Sequence, residues 1–256
     1  MRFFAQAWSR VGRKAGQIAL VTANFGGIDD VKPLPAMEGI DGFYYTDRLP
    51  AAPGETAVWG GWTPVLRGAD LPASWSPRLR GKYFKCQIHR LAETLGYRWL
   101  AWADASFRLH DLAFLKTAVE HLKRLPARRR LLLVPHPERH SVREEYEFVR
   151  TGLTAGDPYL VTRYRQDNLA AQVEQLLSER CNIDNGLWYA GIWLIENNRH
   201  TNRCWDTWWS HVQRFRVLDQ LSLPPILERA ALVPLPLTLP LSGNAYFQWQ
   251  AHRQLI

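Results

Sequence analysis

Residues 97–106 read YRWLAWADAS, an almost unbroken apolar run from Tyr97 to Ala103 that stops at Asp104. A short apolar run closed by polar residues fits a buried strand. Upstream, residues 82–97 read KYFKCQIHRLAETLGY and place Phe84, Ile88, Leu91 and Leu95 on one face, which predicts a helix stopped by Gly96. Downstream, Leu112, Leu115, Val119 and Leu122 recur at helical spacing after Asp111, a suitable N-cap, so a helix is expected over 111–125. Residues 130–135, RLLLVP, form the next buried strand, ending at His136.

The same alternation extends to both ends. Residues 18–23 and 42–46 read as strands, the first closed by Phe25-Gly26-Gly27 and the second by Asp47 and the loop after it. Residues 51–78 are rich in Pro, Gly and Trp without a period and are expected to be irregular. Ser141 and Glu144 form a capping box opening a helix through about Val149. A helix over 167–179, a strand over 187–195, a Trp-rich helix over 201–214 and a last helix from Asp219-Gln220 follow, before a proline-laced tail from Val233. Strands alternating with helices predict an α/β fold with a mostly parallel sheet and helices on both faces. No repeat or linker interrupts the 256 residues, so a single domain is expected, with its core over about 18–230.

Composition narrows the function classes. Hydrophobic residues at 46% and charged residues at 22% exclude disorder as the main state. The longest apolar candidate, 231–241, is broken by three prolines and is too short to span a bilayer. The basic start lacks a secretory apolar segment, and Cys86, Cys181 and Cys204 show no metal or redox spacing, so a cytoplasmic chain with reduced thiols is expected. A net charge of +8 suits a phosphate-bearing ligand, an anionic membrane surface or nucleic acid. Its scatter in small groups, such as Arg78/Arg80/Lys82/Lys85 and Arg163/Arg165, favours local patches. Most of the 12 Trp fall in apolar stretches and read as core. No dinucleotide, P-loop, esterase or zincin motif is present.

In open α/β sheets ligands sit beyond the carboxyl ends of the strands. Here those ends carry Thr22 and Asn24, Thr46 and Asp47, Asp104 and Ser106, and His136 and Arg139. Asp104-Ala105-Ser106 occupies the place where nucleotide-sugar enzymes carry a D-x-D motif that holds Mn²⁺ or Mg²⁺ against a diphosphate. Only the first Asp is present, so Asp104 is either a metal and diphosphate contact or a strand-ending side chain bonded to nearby backbone. His136 and Arg139 suit contact with phosphate or substrate hydroxyls, or a satisfied loop end; His136 and His140 alone are a poor zinc set. Glu144 is explained by helix capping, Glu145 less so. Lys85 and His89, one helical turn apart, and Arg80 upstream either supply counter-charge to a diphosphate or form a solvated face. Asp219 caps a helix, serves as general base or accepts from a sugar hydroxyl, with Gln220 beside it.

Taken together, KCQIHRLAETLGYRWLAWADAS, VPHPERHSVREEYEFV, NGLWYAGIWLIENNRHTNRCWDTWW and LDQLSL resemble the glycosyltransferase-like family long listed as a domain of unknown function, with plant mucilage and pollen-wall-related and bacterial members. Thr22 to Gly27 and Phe43 to Asp47 fit its opening, and the similarity spans about 18–230. The resemblance implies a GT-A-type, Rossmann-like fold. It carries Lys85 and His89 onto the family's K-x-x-x-H, Asp104 onto the Asp ending its central strand, His136, Arg139 and Glu145 onto its H-x-x-R…E segment, and Asp219 and Gln220 onto its D-Q. The family's Arg before D-Q is replaced by Leu218.

The implied activity is transfer of a sugar from a nucleotide-sugar donor to a saccharide or lipid-linked acceptor. Thr22, Asn24 and Asp47 are expected near the nucleoside, with Arg80, Lys85, His89 and Ser106 also on the donor side. Asp104 is expected at the diphosphate or its metal. His136, Arg139 and Gln220 are expected on substrate, with Glu145 and Asp219 acting in catalysis. Peripheral contact with the inner membrane is compatible with the basic, Trp-rich composition; nucleic acid is not expected as a partner. The rival readings are a non-catalytic basic module binding an anionic polysaccharide or nucleic acid, and an inactive transferase fold.

Overall fold

Period-two burial along the central strands sets the architecture. Ala19 and Val21, Leu100 and Trp102, Leu131 and Leu133, and Trp193 and Ile195 pack into one core, whereas Ile18 and Leu20, Trp99 and Ala101, Leu132 and Val134, and Ile192 and Leu194 pack into another on the opposite face. Both faces of the sheet are therefore covered, which is why its strands read as continuous apolar runs.

A computed structural model describes residues 14–48, 59–216 and 218–252. Residues 1–13 of the basic start, residues 49–50 of the loop after Asp47 and residues 51–58 of the stretch expected to be irregular lie outside them. The strands are β1 (Lys14–Asn24), β2 (Ile40–Thr46), β3 (Trp62–Leu66), β4 (Tyr97–Ala103), β5 (Phe107–Leu109), β6 (Leu131–Pro135), β7 (Trp188–Glu196), β8 (Leu235–Pro236) and β9 (Phe247–Trp249). Seven of them form one sheet in the order β3-β2-β1-β4-β7-β6-β8, and β5 pairs with β9 in a small ribbon. All pairings in the large sheet are parallel except those of β7, which runs against both β4 and β6. This is the mostly parallel, Rossmann-like α/β class expected.

The helices are α1 (Pro77–Cys86), α2 (Ala113–Lys123), α3 (Val142–Ala155), α4 (Pro158–Tyr164), α5 (Leu169–Ser178), α6 (Arg199–Phe215) and α7 (Leu223–Arg229). Helices α1, α6 and α7 cover one face and α2 the other, while α3, α4 and α5 share a third apolar cluster beside the sheet.

Several local expectations are corrected. The stretch taken as irregular contains β3, parallel to β2; an edge strand tolerates Pro64 and shows no clean alternation. Helix α1 starts earlier, with Ser76 accepting from Leu79 N and Pro77 in the first turn, and it ends at Cys86. Short 3₁₀ turns at Ile88–Arg90 and Ala92–Thr94 replace its expected continuation. Helix α3 runs on to Ala155, where Gly156 adopts a left-handed φ of 76°. Helix α4 was not expected, although Asp157 caps it by accepting from Leu160 N at 2.9 Å. The proline-laced tail is part of the structure: β8 extends the sheet beside β6, and Phe247 is fully buried between Phe107 and Phe114. Among the described residues, no helix is long and apolar enough to cross a membrane.

Candidate active site

Because β7 runs backwards, its first residues meet the last residues of its neighbours: Ala103 pairs with Ile192, and Pro135 with Trp188. Tyr189 and Gly191 therefore stand beside Asp104 and His136. Asp104 N donates to the Gly191 carbonyl at 2.7 Å, and Trp102 Nε1 donates to Asp104 Oδ1 at 2.6 Å. A side chain at 191 would begin 2.4 Å from the Tyr189 ring, so glycine lets that ring lie along the strand.

Helix α1 brings Lys82 and Lys85 to the same place on one face. Lys82 Nζ lies 2.7 Å and Lys85 Nζ 2.8 Å from Asp219 Oδ2, and Lys85 Nζ lies 3.5 Å from Asp104 Oδ1. Asp219 occupies a 3₁₀ turn, Asp219–Leu221, whose carbonyl at residue 219 accepts from Trp208 Nε1 at 2.9 Å. The Lys85 side chain is 1% exposed and that of Asp219 4%. Burial would raise the Asp219 pKa, but the two ammoniums override it and hold the carboxyl down at about 2. Burial lowers the Lys82 pKa; for Lys85 the carboxylates of Asp104 and Asp219 outweigh burial and raise it. The cluster is a charged one. A carboxylate held that far down is a weak proton acceptor, which argues against the general-base role expected for Asp219 and makes it the anchor of two lysines.

A second cluster stands across the cleft, where β6 meets α3. Ser141 Oγ accepts from Glu144 N at 3.0 Å, opening α3 and turning Glu145 inward, where it is 4% exposed. Glu144 itself accepts from His140 N at 2.7 Å, one residue before the Ser141 cap, so only the Ser141 half of the expected capping box forms. Glu145 Oε2 accepts from Arg139 Nε, and the Arg139 guanidinium lies 4.1 Å from the Phe148 ring centre. His136 Nδ1 accepts from the backbone N–H groups of Glu138 and Arg139 at 3.2 and 3.1 Å, and its Nε2 lies 3.2 Å from Arg139 Nη2 and 4.0 Å from Glu145 Oε2. Burial, helped by Arg139, lowers the His136 pKa to about 4, so the ring is neutral at pH 7. Burial raises the Glu145 pKa against the pull of Arg139.

These two clusters line one cavity of about 320 Å³, together with Ser106, Tyr159, Arg163, Tyr164, Tyr189 and Gln220. A smaller cavity of about 90 Å³ adjoins it, bounded by the end of β1 at Ala23, Asn24 and Phe25, by Asp29, and by Arg78 on α1. The structure thus brings Asp104, Ser106, Lys85, His136, Arg139, Glu145, Asp219 and Gln220 together.

It does not bring the other candidates there in the expected way. Asn24 reaches the smaller cavity, but its amide is spent on Asp29 O at 2.6 Å and Tyr44 Oη at 3.0 Å. Thr22 faces a separate hollow of about 10 Å³ behind Asp104. Asp47 accepts from Gly26 N at 3.1 Å and braces the turn after β1. Arg80 donates to the Trp75 carbonyl at 3.1 Å and lines neither cavity. His89 turns away, 3.0 Å from Asp206 Oδ1 on α6, because α1 ends at Cys86 and the one-turn spacing to Lys85 no longer holds.

Conversely, Lys82, Arg163 and His252 were not expected. Lys82 stands three residues before Lys85, a helical spacing that could have revealed it. Arg163 lies on the unforeseen α4, with its charge over Tyr159 at 5.0 Å and Tyr164 at 5.6 Å. His252, in the tail, lies 3.0 Å from Asp29 Oδ1.

The Mn²⁺ or Mg²⁺ expected at Asp104 does not fit the donors found. Among the described residues no three His, Cys, Asp or Glu side chains converge as a ligand set. Asp104 Oδ1 is taken by Trp102 and flanked by the Lys85 ammonium, the place of the second Asp is held by Ser106, and Asp219, a further carboxylate of the same cavity, is committed to two lysines. A hard cation seeks several oxygen ligands and is repelled by an adjacent ammonium.

No family model matches the chain and no curated protein is similar to it, so the family resemblance rests on the motifs quoted above. Solved structures with a similar chain path include mouse xyloside xylosyltransferase 1 in its apo form, at 8% identity, TM-score 0.44, 86% of this chain and 85% of that one. They also include the apo WbbM bifunctional glycosyltransferase, at 12% identity and TM-score 0.48, covering 89% of this chain but only 39% of that one. Both neighbours are glycosyltransferases by name.

Proposed function

We propose that the protein transfers a sugar from a nucleoside diphosphate donor to a hydroxyl of a saccharide or lipid-linked acceptor. The observation that carries this reading is the meeting of the carboxyl ends of β1, β4 and β6 at two adjoining cavities, with cations between them and carboxylates around the larger one. The donor nucleoside belongs in the smaller cavity, at the end of β1. The sugar and the acceptor belong in the larger one.

In the reaction, the bond between the sugar's anomeric carbon and the diphosphate oxygen breaks, the bond to the acceptor oxygen forms, and the acceptor hydroxyl gives up its proton. Charge growing on the departing diphosphate is offset by Lys82, Lys85 and Arg163 in a partly dry cleft. Glu145 is the carboxylate suited to take the proton, because its burial favours the protonated form where Asp219 resists it. His136 and Arg139 orient it.

Calorimetry of the chain with uridine, guanosine, adenosine and cytidine diphosphates, with and without Mn²⁺, tests the donor reading. Binding of at least one supports it, and binding of none ends it. An inactive transferase scaffold is favoured by the single carboxylate at Asp104. Hydrolysis or transfer assays on the sugar ester of the bound nucleotide separate the two, because a scaffold binds without turnover.

A further inference from the structure

A divalent cation does not fit the donor set at Asp104, yet a departing diphosphate needs positive charge beside it. Five residues line both cavities: Lys82, Lys85, Asp104, Arg163 and His252. Three of the five, Lys82, Lys85 and Arg163, are basic side chains, and they form the seam between the two compartments. A donor with its nucleoside in one cavity and its sugar in the other carries its two phosphates across that seam.

On the donor reading above, we infer that Lys82, Lys85 and Arg163 form a diphosphate site that works without a divalent cation. Arg163 is the strongest pointer. Its Nε and Nη1 are buried and have no hydrogen-bond partner among the described residues, and it makes no ion pair there. A buried guanidinium with donors unspent on two of its nitrogens can give each to an oxygen of a diphosphate. Tyr159 and Tyr164 hold it from α4, so the charge is placed before any ligand arrives. Each ammonium carries three donors, and Lys82 and Lys85 both pair with Asp219 Oδ2, leaving donors for a phosphate. Asp219 fixes the two lysines side by side, as a metal's ligands would fix the metal.

The test is titration calorimetry of the full chain with the four nucleoside diphosphates and with inorganic pyrophosphate, once in EDTA and once in MnCl₂. The expected result is that the preferred nucleotide binds with affinities agreeing within about threefold in the two conditions, and that pyrophosphate competes with it. Arg163→Met, which removes no ion pair, and Lys82→Met are each expected to weaken binding by about tenfold or more, Arg163→Met with an unchanged melting temperature. Strengthening of binding by about tenfold or more on adding Mn²⁺ would overturn the metal-free site while leaving the transferase reading intact. Unchanged affinity in Arg163→Met would also overturn it. Failure of all four nucleotides in both conditions ends both readings together.

Discussion

The Lys85 ammonium lies 2.8 Å from Asp219 Oδ2, joining α1 to a turn that follows it by more than a hundred residues, and both side chains are almost wholly buried. Lys82 shares the same oxygen at 2.7 Å. A buried carboxylate between two ammoniums is tolerable only while all three are present, since each charge has given up its water.

Asp219→Asn is therefore expected to lower stability by about 3–5 kcal/mol, read by urea unfolding, because it leaves the buried Lys85 and the half-buried Lys82 facing each other unpaired. The same group sets an acid limit. Its carboxyl titrates near pH 2 in the fold against 3.8 when free, so its stabilisation is complete above the free value and disappears as pH falls toward 2. An Asn variant within about 1 kcal/mol of the wild type would show that the triad bears no such load.

His136 adds a second loss of stability in acid, at higher pH. Its folded pKa of about 4 lies below the free value of 6.5, so the unfolded chain takes up a proton that the folded ring refuses. Stability must fall as pH drops from about 6.5 to about 4, by at most roughly 3 kcal/mol for the full difference. His136→Asn keeps an acceptor for the Glu138 and Arg139 N–H groups and does not titrate. Melting curves from pH 7 to 4 are expected to descend less steeply for the variant than for the wild type, and parallel curves would refute the assignment.

Glu145→Gln keeps an oxygen for Arg139 but cannot take a proton. In a transfer assay kcat is expected to drop by about 10²–10⁴, with nucleotide affinity changed by less than about threefold. An unaltered kcat would move the proton to another acceptor.

His89 separates the family resemblance from the geometry. If it acted on the donor, as the K-x-x-x-H match implies, His89→Gln would weaken nucleotide binding. Its place against Asp206, with Arg90 Nε 2.8 Å from the same carboxylate oxygen, predicts unchanged affinity and a modest loss of stability, on the order of 1 kcal/mol. Calorimetry and thermal melting on one preparation decide.

Phe247→Ala tests whether the tail belongs to the fold. The ring is fully buried, with centres 5.6 Å from Phe107 and 5.5 Å from Phe114, so the expected cost is about 3–5 kcal/mol in urea unfolding. A loss under about 1 kcal/mol would make the tail an appendage.

Much of this architecture is written in the chain. β1, β2, β4, β6 and β7 are apolar runs because helices or tail cover both faces, and such runs are visible without a partner. Their direction is not: nothing in residues 188–196 says that β7 runs against its neighbours, and that reversal is what sets Tyr189 and Gly191 in the cleft. β3 and α4 escaped because an edge strand with proline and a helix of seven residues give too little period to see. At the site, the rule of strand ends found Asp104, Ser106, His136 and Arg139. The same rule overreached at Asp47, whose carboxylate is used by the turn after β1, and the helical spacing that joins His89 to Lys85 fails because α1 ends at Cys86. His252 meets Asp29 across 223 positions, a separation no local pattern reports.

The seam is assembled from positions 82, 85, 104, 163 and 252, with its anchor at 219. During synthesis on the ribosome the chain can lay down most of its sheet well before position 252 emerges, yet the crevice has no finished wall until then. A protease cut after α7 would consequently remove His252 and the ring of Phe247 together, so that the wall of the crevice and the packing of the tail are lost in one event.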